Sequence, residues 1–352
     1  MAVSRFKFHA LAAAVVLSCS ISASAFADTP KAYVSNQEGA VSVIDLNTME
    51  STGDLDIQAK SPRGIGITKD GKLLVTANKD NGNISIVDLA NGKVIKQVKV
   101  GKNPEFVRVH GYTAYVTYEP APSTGKAGPE ANAKDDDDDD KLPGHIAIVD
   151  LKRGKVIHDI VGKPETEGLE FSPDGKYLIV SNESDNSITV HDLKSGKLVK
   201  SIPVGIYGER PRGIKVSPDG KTYVVTLEFS NRFLVLDKNL TPIKAVDTGQ
   251  APYGIAFDRS GKRIFVAAAR EGVLQVFDAT TYEKLKDIRT GKRCWHFSFT
   301  PDDSQIVLAC GKSNELVVVD TDKLEVSKRI EDKDTPWGIV TYPKSMGSLD
   351  KP

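Results

Sequence analysis

Seven residues at near-regular intervals carry the chemistry that varies along this chain: Arg63, Glu105, Glu167, Arg212, Tyr253, Trp295 and Trp337. Most stand inside a Pro-x-Gly step, as in Pro62-Arg63-Gly64, Pro211-Arg212-Gly213 and Pro336-Trp337-Gly338. The first four are charged and the last three aromatic. Gathered at one place, they would offer aromatic faces for a planar or apolar body and guanidinium forks for carboxylate or phosphate groups. The same residues could instead pair Arg with Glu around a wet channel, with the aromatics plugging it; the sequence leaves both open. That both tryptophans of the chain fall in this one column favours a ligand. His296 replaces the glycine of its Pro-x-Gly step beside Trp295, which makes it the weak catalytic candidate, as general base or axial ligand. Cys294 and Cys310 lie at equal distances from a turn centred on Asp302, so they face each other on adjacent strands. A disulfide, two buried thiols and a role with His296 all remain open.

The elements that must position these residues repeat. An Asp closes an apolar β-rich run at Asp45, Asp88, Asp150, Asp192, Asp237, Asp278 and Asp320, at spacings of 43, 62, 42, 45, 41 and 42. A period near 42 suits a four-stranded propeller blade, although the Trp-Asp signature of WD repeats is missing. Each copy offers a segment after Pro-x-Gly, a Ser-Pro-Asp-Gly-Lys turn (Ser172–Lys176, Ser217–Lys221), two apolar segments and a polar, Lys-rich outer one. Pro fixes φ in the turn, and Gly tolerates φ > 0. The chain enters at a second segment, Lys31–Ser35, and leaves through an orphan first segment, Pro336–Val340. The orphan is expected to complete the first blade and close the ring. The expected fold is all-β: a seven-bladed β-propeller over residues 28–345, closed by its C-terminal strand, with 346–352 a flexible tail. The ends of the second segments share the mouth with the seven-residue column and present Asn36, Asn78, Glu119, Asn182, Glu183, Glu228, Arg270 and Lys312.

The chain begins with a basic pair, Arg5 and Lys7, an apolar run Ala10–Leu17 and a small-residue step Ala25-Phe26-Ala27. That pattern is an export signal cleaved after Ala27, and the run is too short to span a bilayer. Val16-Leu17-Ser18 is a poor approach to a lipid-accepting Cys19. Removing two cations from a chain with 47 basic and 47 acidic residues leaves a net charge of −2, so nothing steers it to nucleic acid or an anionic membrane. The long interval holds an insertion, 120–143, with four prolines and the run Asp135–Asp140, which reads as a solvated loop. No histidine pair has metal-ligand spacing, and no Ser-His-Asp order, phosphate-binding Gly loop or c-type haem motif is readable. His191, in a position that is apolar in the other copies, reads as a satisfied core histidine.

The pieces Leu74-Val75-Thr76-Ala77-Asn78 and Ile179-Val180-Ser181-Asn182, each followed by a run closing on Asp, resemble the YVTN-family β-propeller repeat over about residues 31–343. The last third, with Gly291-Lys292-Arg293-Cys294-Trp295 and Pro336-Trp337-Gly338, resembles exported propellers found with quinoprotein alcohol-oxidation systems and d-type-haem propeller domains. Leader, column and resemblance together give the expectation of a periplasmic, monomeric binding or scaffold protein that takes a small ligand or a partner protein at the channel mouth, with no cofactor predicted. The alternative the resemblance implies is a haem- or quinone-handling protein, or a lactonase-like hydrolase. The repeat is specific for fold and weak for function.

Overall fold

In the computed structural model, which describes residues 29–119 and 142–350 together with Met1, seven four-stranded antiparallel sheets form a ring. The first blade is built from both chain ends: strand Pro336–Tyr342 lies innermost, followed by Lys31–Asn36, Val41–Asp45 and Glu50–Leu55. Register runs from Lys31 opposite Tyr342 to Ser35 opposite Gly338. This is the expected closure: it pairs the two chain ends in one blade, leaving the polar outer strands as edges. The other blades occupy 62–99, 107–164, 166–203, 211–247, 252–289 and 294–330.

Sequence dictates each blade in the same way. The inner three strands are buried on both faces, as in Pro211–Val216 and Thr222–Leu227, because neighbouring blades cover them. The outer strands, such as Lys93–Lys99, are mostly exposed. Apolar clusters form between blades: Ala32, Val34 and Ile44 of the first blade pack with Val307, Leu316 and Val318 of the seventh. Burying each large aliphatic side chain contributes about 1.5–3 kcal/mol, so the seam is held by packing as well as by strand pairing. The turns carry a recurrent clasp: Ser172 Oγ donates to Asp174 Oδ1 at 2.6 Å and Gly175 takes φ 68°. The repeated strand-end aspartates are scaffold, as in Asp278, whose Oδ1 accepts from the Thr280 and Thr281 amides at 2.8 Å each. His191 is buried, with Thr189 Oγ1 3.2 Å from Nε2.

One expectation is corrected. Residues 346–349 do not form a flexible tail: Met346, Ser348 and Leu349 are 4%, 1% and 1% exposed. The Phe299 amide donates to Met346 O at 2.7 Å, and the Ser348 amide donates to Phe297 O at 2.9 Å. Two apolar side chains within four residues, beside an inner strand with free backbone groups, are enough to dock the segment at one end of the channel. The Asp135–Asp140 run lies outside the described residues.

Candidate functional site at the channel mouth

The seven-residue column converges as the repeat requires. Six of the seven inner strands, Val107–His110 being the exception, pair with an irregular register against their neighbour, for instance between Pro62 and Ile65 and between Pro211 and Ile214. Such a bulge re-aims the residue it carries. The following glycine is obligatory where the blades close most tightly: a Cβ on Gly64 would lie 2.4 Å from Glu105 O, and one on Gly168 2.3 Å from Arg212 O. All seven residues of the column are less than 8% exposed.

The charged arc pairs within itself. Arg63 Nη1 lies 2.6 Å from Glu105 Oε1, and its Nε donates to Gln37 Oε1 at 3.2 Å. Arg212 faces three carboxylates: Glu228 at 2.6 Å, Glu167 at 3.1 Å, and Glu183. Arg210 reaches Glu183 as well, and Glu165 at 3.4 Å. The Tyr253 hydroxyl donates to Glu167 Oε1 at 2.9 Å, and the Arg212 guanidinium lies 4.8 Å from the Tyr253 ring centre. Carboxylates outnumber cations here: Glu105, Glu119, Glu165, Glu167, Glu183 and Glu228 face Arg63, Arg210, Arg212 and Lys79. Burial, with Glu105 adding to it, lifts Glu119 to about 8 and Glu167 to about 7. Burial also raises Glu183, against the pull of Arg210 and Arg212. The mouth therefore stores protons near neutral pH.

The aromatic arc fills the axis. Trp337, Tyr253 and Trp295 belong to one buried cluster with Phe106. Trp295 lies over Gly311, where even a Cβ would meet its ring at 2.0 Å. The two non-glycine members of the glycine column, Phe106 and His296, come from blades that are not neighbours, yet their rings meet at 6.1 Å. His296 also contacts Trp337 at 4.4 Å and Tyr253 at 5.3 Å. Its Nδ1 lies 2.9 Å from Ser348 Oγ, while Nε2 and Trp337 Nε1 have no hydrogen-bond partner. Burial first, then Arg212, Lys215 and Arg108, hold His296 well below the usual imidazole range, so it is neutral.

Among the other expected residues, Glu183 and Glu228 join the Arg212 cluster, and Glu119 stands at the edge of the described chain. Asn78 and Asn182 pin their own hairpins, donating to Ser85 Oγ at 3.0 Å and Thr189 Oγ1 at 3.1 Å. Asn36 does the same with Ser42 at 3.0 Å. Arg270 and Lys312 are exposed and take no part. Cys294 and Cys310 are opposite each other and disulfide-bonded, with Cα atoms 3.7 Å apart. Sequence reasoning passed over Phe106, which shares the signal that marked His296, and Gln37. Among the described residues, no group of three His, Cys, Asp or Glu side chains could hold a metal ion.

The ring of seven four-stranded blades with a polar channel mouth defines a β-propeller repeat protein. A family model described as "Lactonase, 7-bladed beta-propeller" matches residues 150–237, and one described as "YNCE-like beta-propeller" matches residues 13–114. The chain is a seven-bladed β-propeller repeat protein similar, over those stretches, to both. It is 23% identical to Protein NirF of Pseudomonas aeruginosa over 314 residues, covering 85% of this chain and 76% of that protein. It is 26% identical over 176 residues to the dihydro-haem d1 dehydrogenase of the same organism, covering 48% of this chain and 32% of that enzyme's length. Among solved structures, dihydro-haem d1 dehydrogenase NirN superposes with a TM-score of 0.64 at 20% identity, covering 88% of this chain and 74% of that one. The Pseudomonas aeruginosa periplasmic gluconolactonase PpgL superposes with a TM-score of 0.69 at 16% identity, covering 89% and 98%. These likenesses show the fold.

Proposed function

We propose that the protein is an exported, non-enzymatic propeller that binds a small ligand at the Arg63–Trp337 end of its channel, as an accessory of a periplasmic oxidation or cofactor pathway. The observation that supports this reading is the excess of buried carboxylates over cations at the mouth, set against an aromatic wall. Glu119 and Glu167, protonated in part near neutrality, can donate hydrogen bonds as well as accept them. The ligand that matches is one bearing an amine or several hydroxyl groups on a flat body. The leader pattern of residues 1–27 supports export, and no helix among the described residues is long and apolar enough to cross a membrane.

A second reading, the handling of a d1-type haem, is favoured by the relatives' names and by His296, whose Nδ1 is held by Ser348 while Nε2 is free, as in an oriented metal ligand. The surroundings do not fit the group. Phe106, Tyr253 and Trp337 fill the space around His296, and the carboxylate excess opposes a macrocycle bearing carboxylates. A lactonase needs converging metal ligands, and the described residues of the mouth assemble none.

The test is purification from the periplasm of the producing cell with the natural leader. N-terminal sequencing should begin at Asp28. Native mass spectrometry should find a bound small molecule that Glu167→Gln and Tyr253→Phe lose, in a protein without visible absorption. A periplasmic protein that carries nothing, or whose ligand survives both substitutions, sinks the reading; a visible haem band that His296→Ala abolishes replaces it with the second.

A further inference from the structure

The other end of the channel holds a second charged layer. It comes from the position three residues after each member of the column, where the chain carries Arg108, Glu170 and Lys215, all 2% exposed or less. Arg108 Nε donates to Leu169 O at 3.0 Å, and its Nη2 lies 3.5 Å from Glu170 Oε2. Lys215 Nζ lies 3.9 Å from the same oxygen. Glu170 Oε1 is already taken by the Phe171 amide at 2.8 Å. Arg108 and Lys215, whose ammonium is pushed down to about 7 by burial and then by Arg108, therefore share one long-range carboxylate oxygen, and both Arg108 Nη1 and Lys215 Nζ are left with no hydrogen-bond partner. Leaving buried charged donors unmatched costs several kcal/mol unless an anion or water meets them.

The chain supplies a partial answer in its last described residue. Asp350, its carboxylate accepting from Ser345 Oγ, interacts electrostatically with Lys215 and Arg108. It borders a cavity of about 500 Å³ whose wall also carries Lys69, Arg259 and Lys344. Arg259 holds the strap that leads to Asp350, donating to Pro301 O at 3.1 Å and to Lys344 O at 2.6 Å. The strap is also held by backbone hydrogen bonds at Met346 and Ser348, by Ser348 Oγ and by the buried Met346 and Leu349 side chains.

We propose that this end of the channel is a binding site for a small dicarboxylate, for which the chain's own Asp350 competes. One ligand carboxylate takes the free donors of Arg108 and Lys215. The other meets the basic wall, where Lys69 and Lys344 stand beside an Arg259 that is already paired with Asp303, and Asp350 is displaced. The site is separated from the mouth by the Phe106–His296 plug, so it stands whatever the mouth binds. It is built by forked and point-charge donors suited to carboxylate rather than to a neutral sugar or a cation.

Succinate titrated into the full-length protein by calorimetry tests this. An internal competitor that fills the site nine-tenths of the time weakens an outside ligand about tenfold. Asp350→Asn should therefore bind succinate about tenfold tighter than the natural chain, and adding Lys215→Met to Asp350→Asn should abolish the gain. If Lys215→Met fails to fold, amide exchange on the natural chain decides: succinate should speed exchange at Ser348, and tetramethylammonium chloride at equal ionic strength should not. Equal affinity for Asp350→Asn and the natural chain, retention of the gain with Lys215→Met, or exchange at Ser348 indifferent to succinate overturns the proposal.

Discussion

Glu167→Gln should flatten the pH dependence of stability while leaving the fold intact. Burial and Glu105 raise the Glu167 carboxyl from 4.5 to about 7, against the opposing pull of Arg212. The folded state then holds a proton between pH 4.5 and about 7 that the unfolded chain releases. Stability from this group is present at acid pH and is lost as pH rises through about 7. At 1.36 kcal/mol per unit, the loss between pH 5 and pH 8 is about 2–3 kcal/mol. Glutamine keeps an oxygen for the Tyr253 hydroxyl and Arg212, and Arg212 retains Glu183 and Glu228. It has no proton to exchange, and it relieves Glu105 and Glu183 of a like charge. Urea unfolding followed by tryptophan fluorescence, at pH 5 and at pH 8, measures the difference for each protein. The natural chain should lose about 2–3 kcal/mol more than Glu167→Gln between the two. Parallel stability curves would refute the claim that the mouth stores a proton at Glu167.

The remaining predictions use the same assays. Removing the disulfide with Cys294→Ser and Cys310→Ser opens a loop with a sequence separation of 16 and should cost about 3 kcal/mol; unchanged urea midpoints with and without reductant would count against the bond. Replacing His296 with Phe should reduce the sensitivity to acid below about pH 6.5, because the folded state keeps His296 neutral while the unfolded chain takes up its proton. Ending the chain at Pro343 removes the buried Met346 and Leu349 and should cost about 3–6 kcal/mol, whereas a truly free tail would leave the midpoint unmoved. Arg212→Met, which leaves Glu167, Glu183 and Glu228 facing one another, should cost about 3–5 kcal/mol at pH 8 and less at pH 5, where protons replace the lost cation.

The architecture was legible because it rests on repetition. The Asp-terminated runs, the Ser-Pro-Asp-Gly turns and the orphan Pro336–Val340 segment each state a strand order, and seven copies agree. The mouth was legible as a list of residues but not as a state. Whether Arg212 waits for a ligand or is already matched depends on Glu183 and Glu228, which come from hairpin ends in two different blades. Only the bend of those hairpins brings both carboxylates into contact with one guanidinium. Disulfide formation was equally undecided, since the register alone places Cys294 opposite Cys310 whether or not they are joined.

The tail and the second charged layer were missed for a related reason. Reading one column of the repeat treats the inner strand as a single ring, but the bulge at the Pro-x-Gly step lets the strand present another set of side chains further along. Read three residues on from the column, the alignment gives Gly66, Arg108, Glu170, Lys215, Ala256, Ser298 and Val340. Three charged residues at a position buried in every copy cannot stand without partners. Their surplus donors demand an acceptor from outside the repeat, and among the described residues the short segment after the closing strand is the piece of chain that lies beside them. Its sequence, Ser-Met-Gly-Ser-Leu-Asp, supplies two apolar anchors and one carboxylate. A repeat protein's non-repeating end is thus best read against the charges its columns leave unmatched, and on that reading Asp350 belongs to the channel rather than to solvent.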